Sequence, residues 1–529
     1  MNHARHHDVV DVPARAAQEI LVVAPGHSLT DKPVLHRCRD TSQRWSSRSA
    51  AIAPSQAQRR DSQKMTDTLI RNISHLVTFD AKDRELEGAD LLVSGSRIAA
   101  LGYGLEVDDS AEVIDGRGLL VLPGLINGHQ HLYQVGLRSF VELERAPIHP
   151  WLSALHVKTL YLWRQGHYTP ATVGTVARAG MVESLLGGVT TVADQHYVYV
   201  DGKTEPFIEE MIEGALETGI RLHAGRGSMT KGKRHGGVVP DIACQTIDEV
   251  LRHSQALIDQ YHDPDPLARI RIDLAPCGVD TDEPEMYREF ARLAADHPEV
   301  GLHTHLYEVI DTGFCTDTYG VTPWHFLVEN GWNHDKVWLA HMVDPPHEEI
   351  PEFAEAGVGI VHLIAPDLRM GWGLAPLRKY LDAGCKVGFG TTGSASNDGC
   401  NQFGDVRVAA LAHRDMHVSP QKWPSARELL GLATRGSAAC LGRHELGVIE
   451  PGKAADIAAW DMTTVDRVGV HDAVIGLVLG GLSDRANLVM VGGEIVVRDG
   501  HCTTVDETAI ADAARNAYPV RPPAYRRRH

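Results

Sequence analysis

The chain has 529 residues, 43% hydrophobic and 23% charged, which is ordinary for a globular protein and longer than the roughly 250 to 300 residues at which one core stops growing. Its formal net charge of -18 disfavours nucleic acid and anionic membrane as partners, because phosphate binding needs a basic surface. No apolar run reaches the roughly eighteen residues of a membrane span, so a small-molecule ligand is the partner class that remains.

Residues 1–64 are rich in Arg, Ser, Ala and His without sustained apolar periodicity, and are expected to form a disordered extension ahead of a functional start at Met65. From there the pattern turns to short alternating strands at Thr68–Ile73, Leu76–Phe79, Asp90–Val93 and Arg97–Leu101. Similar strands return at Ala455–Trp460 and Leu488–Val497, after the turn Glu450-Pro-Gly-Lys. Residues 65–122 and 441–505 are therefore expected to pair into one small β-sandwich domain, with 506–529 left as a C-terminal tail.

Between them, over residues 123–440, apolar strand-like runs alternate with helical stretches such as 171–186 and 284–295. The strands are Gly188–Ala193, Ile220–Ala224, Ile270–Ala275, Val300–His305, Val337–His341, Gly359–His362 and Val387–Thr391. Near-continuous apolar strands followed by helices predict parallel βα units, and eight of them make a (β/α)8 TIM-like barrel of the α/β class. Many of these strands end in a polar residue, where barrels carry their catalytic groups: His129 and His131, His196, His223, His305, His341, His362 and Thr392.

The run Pro123-Gly-Leu-Ile-Asn-Gly-His-Gln-His puts His129 and His131 on alternate residues of a strand, so both imidazoles share a face and can chelate one ion. His305 ends a later strand and suits a third nitrogen ligand, with coordination positions left open to water. Glu308 lies just beyond that strand and can act as general acid and base, whereas His303 reads as a satisfied histidine packed behind the barrel. His341 ends the apolar strand Trp338-Leu-Ala-His and can orient water or stabilise developing negative charge. The eight cysteines form no CxxC pair, as befits buried reduced thiols in a cytoplasmic protein.

The runs Leu122-Pro-Gly-Leu-Ile-Asn-Gly-His-Gln-His, Gly188-Val-Thr-Thr-Val-Ala-Asp, His303-Thr-His-Leu-Tyr-Glu, Leu339-Ala-His and Gly393-Ser-Ala-Ser-Asn-Asp resemble the amidohydrolase superfamily. The branch they resemble is that of cytosine deaminase, triazine hydrolase and 8-oxoguanine deaminase. The resemblance extends from Thr68 to Gly500. It implies His129, His131 and His305 as ligands of one divalent metal ion per subunit, zinc before iron, cobalt or manganese. It further implies Glu308 as proton shuttle, His341 beside the activated water, and a homo-oligomer.

One departure stands out, because Thr392 occupies the position where the family carries an aspartate that takes the proton from water. A threonine hydroxyl is a poor base and a weak ligand, so proton transfer falls to Glu308 and His341, with Asp398 as a substitute or a plain loop residue. The altered site resembles those of the phenylurea and molinate hydrolases. The expected activity is therefore hydrolysis of a carbon–nitrogen, or carbonyl C–S, bond in a small urea, carbamate or amide, such as a xenobiotic phenylurea or thiocarbamate. Deamination of an oxidised purine or hydroxytriazine, and a non-catalytic family member, are the alternatives. Candidates for the substrate pocket are Gln134, Trp151, Tyr161, Trp163, His196, Tyr197, Arg226 and Trp372.

Overall fold

The structure, a computed structural model, describes residues 66–480 and 485–519. The expectations for residues 1–64 and for a start at Met65 lie outside the described residues.

Nine parallel strands form the central sheet: β1 (Leu125–His131), β2 (Val189–His196), β3 (Arg221–Ser228), β4 (Ile270–Pro276), β5 (Leu302–Leu306), β6 (Val337–His341), β7 (Gly359–His362), β8 (Lys386–Phe389) and β9 (Thr392–Gly393). Short β9 follows directly on β8 and pairs back onto β1, with Thr392 opposite Gln130 and Gly393 opposite His131. The last stave thereby closes on the first, which gives the expected (β/α)8 barrel. Its strands are buried almost throughout, because helices cover the outside while side chains fill the inside.

The connections include helices α1 (Ile148–Arg164) and α2 (Pro170–Leu186) between β1 and β2, and the short helix α3 (Ile364–Arg369) after β7. Thr169 starts α2 with a reciprocal capping box to Thr172, and Pro170 takes the first helical position, where its missing N–H costs nothing. No helix among the described residues is long and apolar enough to cross a membrane.

Segments from the two ends of the chain meet beside the barrel. Ile457–Asp461 pairs antiparallel with Leu119–Pro123 in a seven-stranded sheet, and Thr68–Ile73 lies in a four-stranded sheet with Ala89–Ser94, Arg97–Gly102 and Glu112–Asp115. Ile70, Leu91 and Ile98 from the second sheet pack against Val121, Ile457 and Met490 from the first. Each such buried aliphatic side chain contributes about 1.5 to 3 kcal/mol.

The segment from residue 506 onward differs from the expected tail. Asp506 caps helix α4 (Glu507–Ala517), which packs on α2, and the following Tyr518 is buried against Gly136, where a Cβ would collide with its ring. The missed signal was Asp506 ahead of an amphipathic stretch, a helix start that the C-terminal position obscured.

Candidate active site

Three imidazoles converge at the C-terminal end of the barrel. The Nε2 of His305 lies 3.2 Å from that of His129 and 3.1 Å from that of His131, and all three rings are buried. Strand alternation brings His129 and His131 to one face, while a register shift between Asn127 and Gln130 sets their height against β2.

The hydrogen bonds at the far side of each ring decide what these nitrogens can do. His303 Nδ1 donates to the Trp338 carbonyl at 2.8 Å, which leaves its Nε2 as an acceptor for His129 Nδ1 at 2.7 Å. His131 Nδ1 donates to the Gln195 carbonyl at 2.9 Å and His305 Nδ1 to the Cys277 carbonyl at 2.5 Å. With every Nδ1 committed as donor, three bare lone pairs face one another without a hydrogen to share. Burial first, then the neighbouring imidazoles, hold all three pKa values below the ordinary range, so protons do not relieve the repulsion. Such a donor set fits one divalent cation: bonds of about 2.0 to 2.1 Å in tetrahedral geometry put ligand nitrogens about 3.3 Å apart.

His303 therefore differs from its expected place behind the barrel. It shares a face of β5 with His305, one layer deeper, and its ring stacks on Trp338 at 4.8 Å between centroids. From there it fixes the tautomer of His129.

Beside this centre, His341 Nε2 lies 3.1 Å from Glu308 Oε1 and its Nδ1 2.6 Å from Asp367 Oδ1. Burial alone would depress the His341 pKa, but the carboxylates of Asp367 and Glu308 overcome it and raise the group to about 10. With a carboxylate at each ring nitrogen, the site favours the imidazolium form of His341. Strict alternation would turn His341 away from Trp338 and Ala340, but left-handed backbone at His341 (φ 74°) and Met342 (φ 54°) redirects it. Thr392 is also left-handed (φ 51°), an uncommon state for a β-branched residue. Asp367, at the start of α3, escaped the sequence reading because nothing in Pro366-Asp367-Leu368 marks it as facing a histidine of another strand.

A cavity opens onto these groups. His131, His305, Glu308, His341 and Thr392 form its floor, Gln134, Tyr197, Cys277, Asp280, Thr281 and Ser396 its polar sides, and Ile148, Trp151, Leu152, Pro366, Met370 and Trp372 an apolar wall. The Trp372 ring meets His341 edge to face at 5.2 Å. Gln134 is fixed by a bond to Tyr133 Oη at 3.2 Å and by the Ala395 N–H at 3.3 Å, and it passes Gly393 so closely that a Cβ there would push the Gln134 amide out of this place.

Of the pocket candidates, Gln134, Trp151, Tyr197 and Trp372 line this cavity, and four others do not. His196 and Arg226 are register partners on β2 and β3, so their side chains share the outward face. His196 packs among Tyr133, Tyr199 and Phe207, while Arg226 is tied to His253 at 2.8 Å and Gln245 at 2.8 Å. Tyr161 is exposed, and Trp163 borders a separate depression with Tyr168 and Phe207. Asp398 accepts from the N–H of Ser139 at 2.6 Å and pairs with Arg369, so it anchors a loop and does not replace the absent aspartate.

Residues 120–496 match the model of the amidohydrolase family. Among curated proteins, the chain is 36% identical over 456 residues to 8-oxoguanine deaminase of Pseudomonas aeruginosa, covering 86% of this chain and 98% of that one. It is 31% identical over 472 residues to hydroxydechloroatrazine ethylaminohydrolase of Pseudomonas sp. strain ADP, with 86% and 95% covered. Among solved structures, the atrazine chlorohydrolase TrzN of Arthrobacter aurescens TC1 complexed with zinc is 53% identical, with a TM-score of 0.84 over 85% of this chain and 100% of that one.

Proposed function

The chain belongs to the amidohydrolase family and is a metal-dependent hydrolase acting on carbon–nitrogen bonds, and from that premise we propose that it displaces a leaving group from a ring carbon of a small nitrogen heteroaromatic, a substituted triazine above all. The observation that carries this reading is the lining of the cavity: Trp151, Trp372, Ile148 and Leu152 share it with His131 and His305 of the metal-ready trio and with one base, Glu308, which is held by His341. A flat ring slides between such a wall and such a floor. The relatives named for 8-oxoguanine, hydroxydechloroatrazine and atrazine all take their names from planar nitrogen heterocycles.

His129, His131 and His305 would hold the ion, zinc by analogy with the 53% identical structure. When bound, it supplies Lewis-acid charge that makes water nucleophilic at neutral pH. Glu308 takes a proton from the attacking water and returns it to a departing nitrogen or sulfur, or releases it to solvent when chloride leaves. His341, an Nε2 donor fixed by Asp367, keeps the Glu308 carboxylate in place and the water oriented. Thr392 contributes no base, so one carboxylate handles the proton traffic, which suits leaving groups that depart as weak bases: chloride, thiolate or an amine on an electron-poor ring.

The same single-base floor favours a second reading, cleavage of a urea, carbamate or amide, including a thiocarbamate C–S bond. One panel separates the two: zinc-loaded enzyme with a chlorotriazine, a methylthiotriazine, an ethylaminotriazine, 8-oxoguanine, a phenylurea and a thiocarbamate, read by chromatography of products. Turnover of at least one triazine is expected. Hydrolysis of the phenylurea or thiocarbamate with every heteroaromatic untouched would replace the first reading with the second.

A further inference from the structure

Polar side chains around the cavity are almost all engaged by the protein. Glu308 and His341 hold each other, Gln134 is bound on both ends of its amide, the Tyr197 hydroxyl meets Tyr133, Thr281 donates to the Gly278 carbonyl, and Ser396 to the Gly393 carbonyl. Besides the buried Nε1–H of Trp151, which can only donate and has no partner, the exceptions include Asp280. Its side chain lines the cavity, is 8% exposed, and has no hydrogen-bond or ion-pair partner among the other described residues. Lys231, whose charge is felt at Asp280, is engaged elsewhere: its Nζ donates to Tyr319 Oη at 2.8 Å and lies over the Phe314 and Tyr319 rings. A buried carboxylate held only by its own backbone N–H is costly in the free protein, and a ligand that brings a further donor offsets part of that cost.

On the reading of the site as a heteroaromatic hydrolase, we propose that Asp280 is a specificity-determining residue that accepts the N–H of an amino or secondary alkylamino substituent on the substrate ring. The chemistry of the two sides is complementary. A ring-bound alkylamino group presents one polar hydrogen and one alkyl chain; Asp280 takes the hydrogen, and Ile148, Leu152 and Met370 on the apolar wall take the chain. An ether oxygen in place of the N–H offers a lone pair to the carboxylate and is rejected above about pH 7, where Asp280 is ionised. Burial, then the charge on Glu308, push the Asp280 carboxyl up to about 7, and an incoming N–H reverses part of that shift.

The test uses full-length zinc-loaded enzyme and two chlorotriazines of matched size, one with two ethylamino groups and one with two ethoxy groups. The wild type should favour the ethylamino compound by about 10- to 100-fold in kcat/KM, as for a hydrogen bond to a charged group. Asp280→Asn, with melting temperature and zinc content as controls, should shrink that ratio at least about tenfold, through KM more than kcat, because an amide accepts from one substrate and donates to the other. Calorimetric affinities for the two hydroxytriazine products should follow the same order. An unchanged ratio in Asp280→Asn, with both compounds hydrolysed, overturns the role of Asp280 alone. Failure of wild-type enzyme to bind or hydrolyse either compound overturns this inference, while the heteroaromatic reading itself falls only if every heteroaromatic of the wider panel is also untouched.

Discussion

Asp367 holds His341 by a 2.6 Å bond to Nδ1, and both side chains are buried. The pair joins α3 to the end of β6 and keeps the imidazolium aimed at Glu308. Replacing Asp367 by Asn leaves the shape and removes one of the two anions that raise the His341 pKa to about 10. The imidazolium then loses its proton at lower pH, so the alkaline limb of the kcat/KM profile should move to lower pH. At neutral pH the rate should fall about 10- to 100-fold. A pH–rate profile of Asp367→Asn that superimposes on the wild type would rule this out.

Glu308→Gln should keep the metal and lose about 10²- to 10⁴-fold in kcat, the usual worth of a general acid–base group. Zinc content by atomic emission and single-turnover rates on the same preparation make the distinction. Loss of metal together with rate would mean that Glu308 is a ligand.

His303→Leu leaves the Nδ1–H of His129 without its acceptor. Partners of this kind that orient a ligand typically account for about 10- to 100-fold in metal affinity. Competition with a chelating dye should show a loss of that size, and the melting temperature of the chelator-treated wild type should fall as ligand-free lone pairs are left facing one another.

Asp282 gives a signature in stability against pH. Burial raises its carboxyl to about 7, despite bonds from Ser228 and the Cys277 N–H. The folded protein thus keeps a proton that the unfolded chain releases near about 4, so between about pH 4 and 7 the folded state binds more protons and stability falls as pH rises. A carboxyl displaced that far forfeits on the order of 4 kcal/mol of stability by neutral pH. Asp194 and Asp405, also raised to about 7, add to the trend. Thermal melts from about pH 4.5 to 7.5, the window in which such carboxyls titrate, should show Asp282→Asn gaining on the wild type as pH rises, on top of the opposite slope that the buried histidines with lowered pKa values give to both proteins.

The barrel and its metal-ready imidazoles were readable in the sequence because both obey simple periodicities. Apolar staves alternate with helices, and His129-Gln130-His131 needs only strand alternation to chelate. The errors arose where periodicity is interrupted or irrelevant. His196 and Arg226 sit near strand ends, as barrel catalytic groups do, but parity turns them outward. His341 violates parity and reaches the site through left-handed backbone, which no pattern of residues announces. Asp367 and Asp280 depend on a connection folding over the barrel mouth, a long-range fact invisible in local sequence.

The seam between β9 and β1 bears on how the protein is made. All three imidazoles have been synthesised once the ribosome passes His305, yet the edge of β1 opposite Gln130 and His131 stays open until Thr392 and Gly393 emerge. A nascent chain arrested between those points carries the complete ligand set on an unsealed scaffold. Tight ion capture should therefore mark the last step of barrel assembly, and retention of the ion by chains released at successive lengths would time the closing of the ring.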